Sequence, residues 1–184
     1  MDAQAAITVP VTLDKKTFQH FGRFDTFRRQ KRWRLPIWFM VIMLGFATYI
    51  FFQTDKAQSG LIGGVLTGIG LSLPIVYFSS FFLTLRENVK KYGLPRRVYT
   101  LKLTDQDVYI HSEINKDEQM TLPWDKLFAA WRAPDAVYLY VLPSRAFILP
   151  AGQADAPDDA LWALITARLP ADRCRDLRRG GSAA

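Results

Sequence analysis

Residues 35–52 read LPIWFMVIMLGFATYIFF and residues 61–85 read LIGGVLTGIGLSLPIVYFSSFFLTL, and neither run holds Asp, Glu, Lys, Arg or His. At 1.5 Å per residue the first makes a helix of about 27 Å and the second one of about 37 Å. Both suit a hydrocarbon core of about 30 Å, the longer by tilting or by kinking at Pro74. A pair of buried core helices is the soluble alternative, and two uncharged runs of this length are rare in a chain of 184 residues. A cleaved signal peptide fits poorly, because a polar leader precedes residue 35 and no small-residue cleavage pattern follows. The link 53–60 is too short for anything but an antiparallel turn. The expected architecture is therefore a membrane α-helical hairpin of two transmembrane helices, 35–52 and 61–85.

The net charge of +7 is unevenly spread. Residues 1–34 carry +5, residues 86–97 carry +4 and residues 98–170 carry −4. A uniformly basic nucleic-acid binder would not divide this way, so no nucleic-acid partner is expected. Arg28, Arg29, Lys31, Arg32 and Arg34 precede the first apolar run, and Arg86, Lys90, Lys91, Arg96 and Arg97 follow the second. The link holds Lys56 alone. By the positive-inside rule the N-terminus and the C-terminus are both cytoplasmic. The ten basic residues then form a juxtamembrane collar suited to anionic lipid headgroups, each worth about 1 kcal/mol near the surface. Trp33, Trp38 and Tyr49 fall where an aromatic belt would lie.

Gly60, Gly64, Gly68 and Ser72 recur every fourth position and give one face on which another helix can approach closely. Packing against the first span of the same chain near Gly45 is the favoured use. A homodimer or another membrane protein is the sharper one. The absence of charge inside either span argues against transport or catalysis at membrane depth.

Beyond Pro95 the pattern alternates. Runs at 98–104, 107–112, 118–123, 127–132, 136–142 and 145–150, separated by turn signals, read as an antiparallel meander. Residues 158–168 read as an amphipathic helix with Leu161, Leu164 and Ile165 on one stripe, Asp155 as N-cap and Pro170 as its end. The tail from Ala171 to residue 184 reads as frayed. In the leader, residues 7–13 suit a further strand. Phe18, Phe21, Phe24 and Phe27 repeat every third residue, as a helix lying at the membrane or packing on the domain. The expected order is a leader (1–34), a span (35–52), a periplasmic link (53–60), a second span (61–85), a basic segment (86–97), a cytoplasmic α+β domain (98–170) and a tail (171–184).

Strands closed by a C-terminal helix outline a PH-like antiparallel β-barrel or sandwich. The segments Leu122–Leu127, Ala136–Leu142 and Ala146–Pro150 resemble the C-terminal domain of YcxB-like proteins. Those are bacterial membrane proteins with a leader, two spans and a PH-like cytoplasmic domain. The resemblance implies the same fold over roughly residues 5–170 and a place in the bacterial inner membrane. It implies no chemistry. Trp124, Tyr138, Tyr140 and Phe147 carry it, as core residues or, for Trp124, Tyr138 and Tyr140, as a partner surface. PH domains that grip inositol phosphates use a basic first hairpin; this one has Asp105 and Asp107 with only Lys102. An acidic domain points instead to a protein partner.

Nothing in the sequence assembles a catalytic site. Asp105, Asp107, Asp117, Glu118 and Asp125 are turn carboxylates, and His111 lacks a nucleophile elbow. Cys174, between Arg173 and Arg175, is expected to have a slightly lowered pKa. One Cys and two distant His offer no metal set, no phosphate-binding loop is present, and no cofactor is expected. The function expected is a membrane-anchored, non-enzymatic adaptor or regulator. The alternatives are a membrane immunity factor, an enzyme on a lipid-linked substrate, or an oligomeric pore.

Overall fold

A computed structural model describes residues 6–53, 56–114 and 119–178. It divides into two compact units. One holds Gly22–Lys91; the other joins the described residues up to Phe21 with those from Tyr92 onward.

The first unit is a helical hairpin. Helix α2 spans Arg34–Gln53 and α3 spans Lys56–Lys91. The connection is thus shorter than the eight residues expected, and α3 extends beyond the apolar run at both ends. Its 36 residues measure about 54 Å. It runs unbroken through Pro74, whose missing N–H leaves the Gly70 carbonyl without its usual helical donor. The two helices meet where α3 has no side chain. A Cβ on Gly63 would lie 2.5 Å from the Phe51 ring, and one on Gly70 would lie 2.8 Å from Met43 Cβ. The basic end of α3 buries Leu85 and Val89, one turn apart. Gly22 lets Leu85 in, since a Cβ there would sit 2.7 Å from Leu85 Cδ1.

The second unit is built from two four-stranded sheets and is not a closed barrel. The first sheet has the order β1-β2-β3-β4, from β1 (Ile7–Leu13), β2 (Arg96–Leu103), β3 (Asp107–Ser112) and β4 (Gln119–Pro123). The second has the order β7-β6-β5-β8, from β5 (Ala129–Arg132), β6 (Ala136–Leu142), β7 (Arg145–Pro150) and β8 (Cys174–Asp176). Every neighbouring pair is antiparallel except β5 with β8.

The leader strand is therefore part of the domain: Val9 pairs with Leu101 and Val11 with Tyr99. Alternation places Val9, Val11, Leu101, Leu103 and Val108 in the core, all fully buried. The outer edge of β1 is occupied as well. Its Thr8 N–H donates to Asp155 Oδ1 (2.8 Å) and its Thr12 N–H to Gln153 Oε1 (2.7 Å). Two side chains thus stand in for a neighbouring strand and leave no open edge for another chain. Asp155 does not cap α4 (Asp158–Arg168) as expected; Pro157 holds that position.

Three further expectations change. The Phe repeat is divided, because α1 (Lys15–Arg23) passes into a π-helical turn at Phe24–Arg29. A three-residue repeat drifts around a 3.6-residue helix, so one face cannot hold all four rings. Phe18 meets Tyr92 and Phe21 covers Tyr138 and Tyr140 in the domain, while Phe27 stacks on Phe78 and meets Phe81 in the hairpin. The tail is not frayed where it is described. Ala171–Arg173 forms a 3₁₀ turn and β8 then adds to β5. The reason is the buried Arg132, which draws Asp159 and Asp176 to it. Residues 1–5, the link residues 54–55, Asp117, Glu118 and residues 179–184 lie outside the described residues.

Candidate functional site

Among the residues expected to meet a ligand, the basic ones at the hairpin end come first. The turn after α1 is fixed by Asp25, whose carboxylate accepts from Arg29 Nε (2.6 Å) and from the Gln30 amide side chain. Arg29 is thereby spent within the fold. Arg97 is also paired, lying 3.3 Å from Glu113. Lys31 then takes φ = +52°, a left-handed conformation costing a non-glycine residue roughly 1–2 kcal/mol. The bonds around it hold the turn: Gln30 N–H to Asp25 O, Arg34 N–H to Lys31 O, and Trp33 Nε1–H to Phe27 O.

This turn places Arg32 at a groove along α3 that encloses about 510 Å³. Thr26, Ser80 and Thr84 contribute hydroxyls to its wall; Leu73 and Val76 line it farther along α3, with the rings of Tyr77 and Phe81 between. No carboxylate lines it. Thr48, Thr67 and Ser72 spend their hydroxyls on carbonyls of their own helices. Among the described residues, Thr26, Ser80 and Thr84 make no such side-chain bond, and the Arg32 guanidinium has no partner. In the sequence Arg32 is legible only as part of the collar; the signal for the groove is the i, i+4, i+7, i+11 row Leu73, Tyr77, Ser80 and Thr84.

The small-residue stripe faces outward. Gly60, Gly64, Gly68 and Ser72 are exposed, and a Cβ on any of the three glycines would meet nothing within 4 Å. Gly45 is equally open. The intrachain contact falls instead on Gly63 and Gly70. Arg28, Lys31, Arg34, Arg86, Lys90, Lys91 and Arg96 make no ion pair among the described residues.

In the domain, Trp124, Tyr138 and Tyr140 do not form a partner surface. Their relative exposures are 6%, 1% and 0%. Trp124 is drawn in because its indole N–H donates to Thr104 O (3.0 Å), the residue that closes the β2–β3 turn. Tyr138 and Tyr140 sit under Phe21, and Tyr138 also bonds Asp135. Burial pushes the Tyr138 phenol far up, with help from the Asp135 charge. Asp135 in turn lies 2.9 Å from His20 Nδ1. A tyrosine, an aspartate and a histidine in line suggest proton relay. Here the tyrosine is sealed from any substrate, so the row pins α1 to the sheet.

The remaining candidates are structural. Asp105 pairs with Arg168 (2.6 Å), Asp107 closes the turn with Thr104, and His111 is mid-strand opposite Thr100. Burial raises the Cys174 thiol pKa, with Asp172 adding to it, the reverse of what the flanking arginines suggest. No group of three metal-ligating side chains exists among the described residues. No family model, no curated protein and no solved structure matches the chain.

Proposed function

We propose that the protein is a membrane-anchored, non-enzymatic adaptor or regulator of the bacterial inner membrane, whose α+β domain recruits or restrains a protein partner on the cytoplasmic side. The observation that carries the membrane reading is exposure. Only 11% of the apolar window in Arg34–Phe52 and 17% of that in Gly60–Lys91 is buried within the protein. A soluble core helix would be mostly covered, and an apolar surface of this extent is stable in lipid rather than in water. Leu35, Phe46, Phe52, Ile75 and Val76 are among the side chains this leaves out.

The β1–β2 pairing supports an even number of crossings, since it joins the chain before the hairpin to the chain after it. The basic residues flanking the hairpin favour the cytoplasm for both ends. The adaptor reading draws on the domain's sealed aromatic residues; the acidity of residues 98–170 is offset by Arg96, Arg97 and the tail, so that residues 1–21 and 92–184 together carry no net charge. The YcxB-like resemblance bears on the fold and the membrane location.

Two measurements test this. Alkaline carbonate should leave the full chain in the membrane pellet and mild detergent should release it; release by carbonate refutes the anchor. Crosslinking and co-purification from mild detergent should return a reproducible protein partner; none, not even a second copy, refutes the adaptor.

A further inference from the structure

We propose that the groove between the turn at Arg32 and the Leu73–Thr84 face of α3 is a specific binding site for one anionic glycerophospholipid. This rests on the membrane reading above and goes beyond a general attraction of the collar for anionic lipid.

The walls of the groove change character along its length. From Thr84 to Leu73 is eleven residues, about 16 Å of helix. Along α3 the wall runs from Thr84 to Ser80 about one turn away and ends at Val76 and Leu73, with Arg32 and Thr26 contributing to the lining from the turn before α2. A phospholipid has the same order: an anionic phosphate, an ester-bearing glycerol, then alkyl chains. The Arg32 guanidinium offers a fork of donors matched to phosphate oxygens. The free hydroxyls of Thr26, Ser80 and Thr84 can donate to phosphate and ester oxygens without breaking a bond already made. No carboxylate in the lining competes for the guanidinium, whereas Asp25 removes Arg29 from the contest. A volume of about 510 Å³ holds a headgroup and the start of a chain, while the open side lets the chains continue into the bilayer. A neutral, zwitterionic headgroup would bring its own cation against Arg32. An apolar partner helix would leave the guanidinium and three hydroxyls unpaired.

The test is native mass spectrometry of the full chain in detergent. The probes are phosphatidylglycerol, phosphatidylcholine of the same chains, and glycerol phosphate. The expected result is one retained phosphatidylglycerol per chain, with phosphatidylcholine held about tenfold more weakly and glycerol phosphate failing to compete. Arg32→Gln should weaken phosphatidylglycerol about tenfold, as for one charge-assisted hydrogen bond. Ser80→Leu, which fills the groove without touching charge, should do the same. Arg145→Gln, outside both the groove and the collar, should change it less than twofold. Unchanged binding in Arg32→Gln or Ser80→Leu, an equal loss in Arg145→Gln, equal retention of phosphatidylcholine, or full competition by glycerol phosphate each overturns the site. The carbonate wash separates the two failures: a chain retained in the pellet with any of those outcomes loses the lipid site alone, and a released chain loses the anchor.

Discussion

Replacing Gly70 with alanine places a Cβ 2.8 Å from Met43 Cβ. Carbon atoms rest at about 3.5–4.0 Å, so the overlap is about 1 Å. Met43 Cβ is fixed to the α2 backbone and cannot swing aside, so the helices must part locally by about that distance. A gap of this size forfeits a quarter to a half of each facing contact, and overpacking of this kind costs roughly 1–3 kcal/mol. Alanine recovers about 1 kcal/mol of helix propensity over glycine, which leaves a net loss of about 0–2 kcal/mol. Gly64→Ala and Gly68→Ala meet open space, so they should be neutral or gain up to about 1 kcal/mol. The assay is SDS titration of the full chain in mixed micelles, with pulse proteolysis reporting the unfolded fraction of α2 and α3. A tenfold shift in the folding equilibrium at Gly70→Ala corresponds to about 1.4 kcal/mol. If Gly70→Ala matched the parent while Gly64→Ala or Gly68→Ala fell, the helix packing described above would be wrong.

Tyr99→Phe should lower domain stability by about 2 kcal/mol in thermal melts, because the phenol both donates to Ile148 O (3.0 Å) and accepts from Ile148 N–H (2.7 Å). Arg132→Met should free β8, and trypsin should then cleave after Arg173 and Arg175 several times faster than in the parent; an unchanged rate would deny Arg132 its role. Asp14→Ala should cost about 1 kcal/mol, since Asp14 caps α1 through the Thr17 N–H (2.7 Å). A side-chain hydrogen bond with Thr17, helped by that backbone bond, holds the Asp14 carboxyl below its ordinary 3.8, so its contribution is whole above about pH 4 and is lost as the pH falls through the depressed value. In acid titrations followed by circular dichroism, the variant should lack that part of the stability loss. Iodoacetamide should modify Cys174 more slowly at neutral pH than an unfolded cysteine peptide, because burial disfavours the thiolate.

The hairpin was legible because its signal is compositional: uncharged runs need no register. The strands of the first sheet were legible because one face is solvated, so Leu101, Leu103, Val108 and Ile110 alternate with polar residues. β6 was harder. Ala136, Val137, Tyr138, Leu139 and Tyr140 are buried on both faces, and alternation cannot say which side is covered when both are. Phe21, more than a hundred residues away, covers one side, which is why Tyr138 and Tyr140 invited a surface reading. The tail misled for another reason. Arg and Asp in alternation usually mean solvation, and only the buried Arg132 turns that composition into pairing. Asp155 shows the same effect, its carboxylate being drawn to the Thr8 N–H rather than to the nearest helix. The groove at Arg32 depends on a left-handed Lys31, which no pattern announces.

The pairing of Ile7 with Leu103 sets an order of events in synthesis. β1 is made first, yet its partner emerges only after the whole hairpin. During that interval the leader strand exists without its sheet, and the two apolar helices are made before the domain can close. The domain is in effect interrupted by the helical hairpin. A soluble fragment that starts at residue 98 would lack the strand that fills one edge of its first sheet. A faithful fragment would splice residues 6–21 to residues 92–178, with a linker in place of the hairpin.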